Sequence, residues 1–278
     1  MLLRVLFITA TLLLGGIYVA IGSSPEPVVN LSENKGIPAH GFISRVEQNK
    51  YIEEEALVLK AMMLRIRALQ EKTGIMFSRT PLIRVHDVVF VYGDAMPRVA
   101  RYDFATGTIA FSASDFDFRG FIENESSEKL DFEALAEDKK FQMSMDHELG
   151  HALTDQVSRR IGIGPLFREW EFEKFSIAQN IGYNARNEGI GEWFKHLLNP
   201  TETWISKDAF PTNYEESRRY SNDMIFYSGG HWMVRDILDR HGEEGLIWLV
   251  MHPPSLDEKK MRADAVAYRA RALIALGG

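Results

Sequence analysis

The first pattern along the chain is an uncharged, mostly aliphatic run from Val5 to Ile21, followed by Gly22-Ser23-Ser24-Pro25-Glu26-Pro27, which breaks any helix. The run is apolar on every face, so it does not suit an ordinary core helix, which keeps a polar side. Two readings fit. One is a secretory signal peptide with Ala20-Ile21-Gly22 as a small-x-small cleavage site. The other is a membrane anchor near the lower limit of about 17 residues for a span. Arg4 precedes the run and no basic residue follows until Lys35, which orients the rest of the chain outward. Residues 1–22 are thus expected to be a signal peptide or membrane anchor, with the protein exported to the periplasmic or extracellular side. Only an uncleaved segment would leave it attached to a membrane. The intact mass of the mature protein distinguishes the two.

Residues 23–44 carry Pro, Ser, Asn and Gly without a period and read as a linker. Residues 45–278 form the candidate domain. Arg45 to Glu71 has the composition and spacing of a long amphipathic helix, ended by Thr73-Gly74. Residues 82–91, rich in Val and Ile, predict a strand, and Val99 to Tyr102 a second. Ala105-Thr106-Gly107 then turns into a short alternating strand, Thr108 to Ser112. Ala113 to Lys140 is polar and acidic, and is expected to be a surface excursion with little regular structure. Helical spacing dominates afterwards, at 141–157, 184–198, 221–241, 243–251 and 257–275. Strands followed by helices predict an α+β fold with a helical second lobe.

The remaining composition excludes more than it identifies. A formal net charge of −7 and no basic stripe argue against a nucleic-acid partner. The absence of cysteine removes disulfides, thiolate ligands and thiol nucleophiles.

Chemistry concentrates in Met145-Asp146-His147-Glu148-Leu149-Gly150-His151-Ala152-Leu153-Thr154-Asp155. Residues four apart share a helix face, so His147 and His151 can present imidazole nitrogens to one ion. Glu148, beside the first histidine, can serve as general base toward water activated by that ion. Catalytic zinc usually keeps three protein ligands and one open position. Glu188 and Glu192, again four apart, offer the third ligand and a partner for a ligand imidazole.

These segments resemble the gluzincin metallopeptidases, the thermolysin-like and aminopeptidase-like branch of the zincins. His147-Glu148-Leu149-Gly150-His151, continued to Asp155, is similar to the thermolysin active helix. Asn187-Glu188 with Glu192 resembles an Asn-Glu-x-x-x-Asp motif, with Glu in place of the usual Asp. The stretch from His151 to Glu188 is longer than in those families, which implies an insertion. Metzincins fit poorly, since Val157 stands where their third histidine would be and Thr154 replaces a glycine. Tyr227-Ser228-Gly229-Gly230 resembles the Tyr-x-x-Gly of gluzincin aminopeptidases. The resemblance implies a zincin-like domain, Zn2+ held by His147, His151 and Glu188, and Glu192 behind them. It also implies a peptide or protein substrate, Glu148 as base, and Tyr227 (or its rival His231) on the oxyanion. An edge strand before the active helix should pair with the substrate, a role that falls to Thr108–Ser112. Two rivals stay open: a non-catalytic envelope protein with a closed zinc site, and a zinc hydrolase of a non-peptide amide.

Overall fold

The structure is a computed structural model that describes residues 50–89, 98–122, 130–164, 166, 175–200, 205–217, 219–221 and 223–278. The expected leader at 1–22, the linker at 23–44, the start of the first predicted helix at 45–49 and strand positions 90 and 91 lie outside the described residues. No helix among the described residues is long and apolar enough to cross a membrane.

The fold is α+β and mostly helical, with seven helices and a three-stranded sheet among the described residues. In chain order these are α1 (Ile52–Thr73), β1 (Leu82–His86), β2 (Ala100–Asp103), β3 (Thr108–Ser112), α2 (Phe132–Glu137) and α3 (Lys139–Arg160). There follow α4 (Ile177–Leu198), the single turn α5 (Tyr214–Ser217), a π-helical turn at Met224–Gly229, α6 (Gly230–Met251) and α7 (Met261–Ala275). Gly74, at φ 71°, caps α1 in the left-handed conformation that a side chain would oppose. Asp138 caps α3 by accepting from Phe141 N at 2.9 Å. Helix α4 begins seven residues before the predicted start because Ser176 and Gln179 form a reciprocal capping box. The predicted stop at Gly242 is a non-helical break inside α6.

The sheet order is β1-β3-β2, with β1 parallel and β2 antiparallel to β3. This corrects the edge-strand expectation for Thr108–Ser112. The turn at 104–107 folds β2 and β3 into a hairpin, and β1 pairs with the other side of β3. Both hydrogen-bonding sides of β3 are therefore used, and it cannot take up a substrate strand. Among the described residues the edges are β1 and β2.

A second correction concerns residues 113–122 and 130–140, the described part of the stretch expected to be a surface excursion. Phe116 and Phe118 from that stretch are buried and, with Phe111 and Phe141, form an aromatic cluster; Phe111 and Phe141 stack at 5.5 Å. Leu135 and Ala136 on α2 are buried as well. The apolar minority decides where the segment lies, because each buried aromatic ring removes a large area from water.

Helix α3 runs through the middle, and almost every residue from Met145 to Ser158 is buried. Its polar side chains are anchored one by one. Asp146, with no exposure, receives a forked pair from Arg65 on α1, at 3.0 and 2.5 Å, and Asn199 Nδ2 at 3.1 Å. Gln156 binds the Ser78 and Arg79 backbone. Asp155 binds Tyr102 Oη, Arg159 and Leu166 N. Removing one partner of a buried ion pair strands the other. Arg65→Met should destabilise the protein by about 3–5 kcal/mol in urea unfolding, and a change below about 1 kcal/mol, the scale of an exposed pair, would show that the Arg65–Asp146 pair is not structural.

Candidate metal centre

Helices α3 and α4 carry the site, and glycine sets their separation. A Cβ on Gly191 would lie 2.7–2.9 Å from three atoms of the His147 ring, and one on Gly150 would meet Phe194 and Gly191. The ring of His147 therefore rests directly on the α4 backbone. On the other side of α4, Gly189 and Gly230 meet so closely that a Cβ on Gly189 would lie 2.3 Å from the Gly230 carbonyl group. That contact brings the π turn, and Tyr227 on it, to the same place as Glu188.

Three ligand-type atoms converge there. His147 Nε2 and His151 Nε2 are 3.0 Å apart, Glu188 Oε2 is 3.1 Å from the first, and it is 3.6 Å from the second. A tetrahedral ion with bonds of about 2.0–2.1 Å holds its ligand atoms about 3.3–3.4 Å apart. The observed triangle matches, with its centre about 1.9 Å from each atom on the same bond-length scale. Two imidazoles and a carboxylate are donors suited to zinc-type ions. These residues can hold a metal ion.

Glu192, the second aligned carboxylate, lies on the other side of the ring. Its Oε1 is 3.0 Å from His147 Nδ1, so the tautomer that leaves Nε2 for an ion donates Nδ1–H to Glu192. Glu188 thus sits at the histidine pair and Glu192 behind it. Asn187 is buried and accepts from the Arg186 guanidinium. Glu148, next to His147 on α3, is buried, its charge acts on His147, and its Oε2 accepts from Tyr102 N of β2 at 2.5 Å. The outer edge of β2, not β3, is therefore the strand edge next to Glu148. Phe104, just beyond β2, lays its ring 5.8 Å from that of His151.

Tyr227 and His231 separate clearly. The Tyr227 ring lies 5.7 Å from that of His147. Burial, reinforced by the charges of Glu188 and Glu148, pushes its phenol well above the usual range, so it stays a protonated donor at neutral pH. His231 instead stacks on His196 at 5.1 Å, on the Glu192 side. Burial, followed by the charge of His196, pushes it down to about 4.

Sequence reasoning missed Lys195 and His196, which bind the Glu192 carboxylate. Their spacing at three and four residues beyond Glu192 was the available signal. Arg98 was missed too. It pairs loosely with Asp223 at 4.0 Å, and its charge acts on Tyr227.

Compared with known proteins, the chain matches no family model, no curated protein and no solved structure.

Without an ion, burial lowers the affinity of His147 for a proton, but hydrogen bonds to Glu188 and Glu192 and the charge of Glu148 outweigh it and raise the imidazole to about 10. The metal-free site therefore holds a proton on His147 at neutral pH, and an ion must displace it. Calorimetry at pH 7.5 in buffers of different ionisation enthalpy should show at least about one proton released per zinc bound, the first from His147 and any further one from water on the ion. Binding heats that do not depend on the buffer would contradict this charge state.

Proposed function

We propose that this protein is a zinc-dependent peptidase with a zincin-like catalytic domain, in which His147, His151 and Glu188 hold the ion and Glu148 is the general base. The observation that carries the reading is the division of labour among the three glutamates. Glu188 completes the triangle with the two histidines, Glu192 is bound to the far nitrogen of His147, and Glu148, whose charge acts on His147, accepts a backbone N–H from β2. A structural zinc site closes with four protein ligands. Here Glu192 is engaged with His147, Lys195 and His196, which favours three protein ligands and an open position.

A bound zinc ion supplies Lewis acidity, activating water and polarising the scissile carbonyl. The protein side chains do the rest. Glu148 accepts the proton of the attacking water and passes it to the leaving amine. Its hydrogen bond from Tyr102 N fixes the carboxylate, and that contact lies on the outer edge of β2. An extended peptide laid along this edge would bring its backbone past Glu148, the strand-addition mode of peptide recognition. Tyr227, kept protonated by burial and by its acidic neighbours, donates to the oxyanion that develops as the carbonyl is attacked. His231 faces His196 and is left out of the chemistry.

Glu148→Gln should keep its zinc and lose peptide hydrolysis by about 10²–10⁴-fold or more, since the ligands remain and the base is gone. Tyr227→Phe should lower kcat by about 10²–10³ with little change in KM. Comparable turnover by Glu148→Gln on a peptide library would remove the assignment of the base. Loss of activity in His231→Ala but not in Tyr227→Phe would reverse the assignment of the donor.

A further inference from the structure

The Glu192 carboxylate is bound more heavily than its contact with His147 requires. Its Oε1 meets His147 Nδ1 at 3.0 Å and Lys195 Nζ at 2.9 Å, and its Oε2 meets the same ammonium at 2.9 Å and His196 Nε2 at 3.3 Å. An ionised carboxylate offers about four lone-pair sites, and four contacts fill them. Lys195 and His196 follow Glu192 by three and four residues on α4, so one helical face carries all three.

An exposed pair at this spacing would contribute little. These side chains are not exposed: Lys195, Glu192 and His196 keep 19%, 8% and 9% of their surface. With an ion on Nε2, His147 becomes a neutral imidazole, and a carboxylate buried to that degree beside it needs a compensating charge. The forked Lys195 ammonium provides it and also sets the plane of the carboxylate. The stack on His231 of α6 steadies the His196 ring from the other side.

We propose that Lys195 and His196 are positioning residues for the metal centre, holding Glu192 against His147 Nδ1 so that Nε2 is presented to the ion in one tautomer and one orientation. This rests on the reading of His147, His151 and Glu188 as metal ligands. Neither positioning residue touches the ion. Their effect passes through a partner of a ligand, the kind of contact whose loss typically weakens a metal site without abolishing it.

The test is zinc affinity, measured on the purified protein by competition with a chromophoric chelator. Lys195→Met should bind zinc about 10-fold more weakly, and Lys195→Met with His196→Phe about 100-fold more weakly. Lys195→Arg, which retains the fork and the charge, should restore most of the affinity. The second readout is the His147 Nδ1 proton in the zinc-loaded, 15N-histidine-labelled protein. It should exchange slowly in the wild type and rapidly in Lys195→Met, a signature that general loosening of the fold would not give at an unchanged melting temperature. If Lys195→Met does not fold, Lys195→Gln carries the same comparison. Wild-type affinity together with a slow Nδ1 proton in these variants would overturn the proposal while leaving the metal site standing. A wild-type protein that takes no zinc would remove the metal site, and this inference with it.

Discussion

The constraint on which the rest depends is the burial of a polar helix. Between Asp146 and Ser158, α3 buries eight polar or charged side chains, and each would oppose folding if it lacked a partner. Several neighbouring elements supply them. Helix α1 gives Arg65 to Asp146, the loop before β1 offers its backbone to Gln156, and β2 brings Tyr102 to both Asp155 and Glu148. The histidines find theirs in α4. The packing of the fold around α3 and the satisfaction of its polar groups are thus the same event.

The candidate metal centre follows from how close two helices can come. Glycines at 150 and 191 let the α4 backbone lie on the His147 ring, and those at 189 and 230 let α6 cross α4 just as closely. A methyl group at any of these crossings would push apart elements whose side chains must converge to within a few ångströms. The π turn at Met224–Gly229 then places Tyr227 beside the His147 ring, and such turns often occur at functional positions. Metal-free, the cluster is held by charge instead, with His147 protonated between Glu188 and Glu192. The geometry that fits an ion is therefore already formed around a proton.

Much of this was legible in the chain because the governing signals are local. The spacing of His147 and His151, the pair Glu188 and Glu192, the strand at Thr108–Ser112 and the stop at Gly74 are all set by helix or strand period and by turn chemistry within a few residues. What was not legible depended on partners distant in sequence. That β3 is central follows from β1 pairing across more than twenty residues, which no period in β3 encodes. The early start of α4 rested on a capping box upstream of the apolar pattern. The burial of Phe116 and Phe118 was masked by their acidic neighbours. Which of Glu188 and Glu192 faces Nε2 depends on the rotation of α4 against α3, and Gly191, with no side chain to signal it, sets that approach.

In the proposed metal centre one ion is held by three side chains from two helices, with the fourth position left free of protein. Anomalous diffraction at the zinc edge, from crystals of the zinc-loaded protein, tests this most directly. A single strong peak is expected about 2.0–2.1 Å from His147 Nε2, His151 Nε2 and a Glu188 oxygen, with Glu192 still on His147 Nδ1. A peak that includes Glu192 as a fourth protein ligand would indicate a closed structural site, and no peak between the two histidines would contradict the metal centre itself.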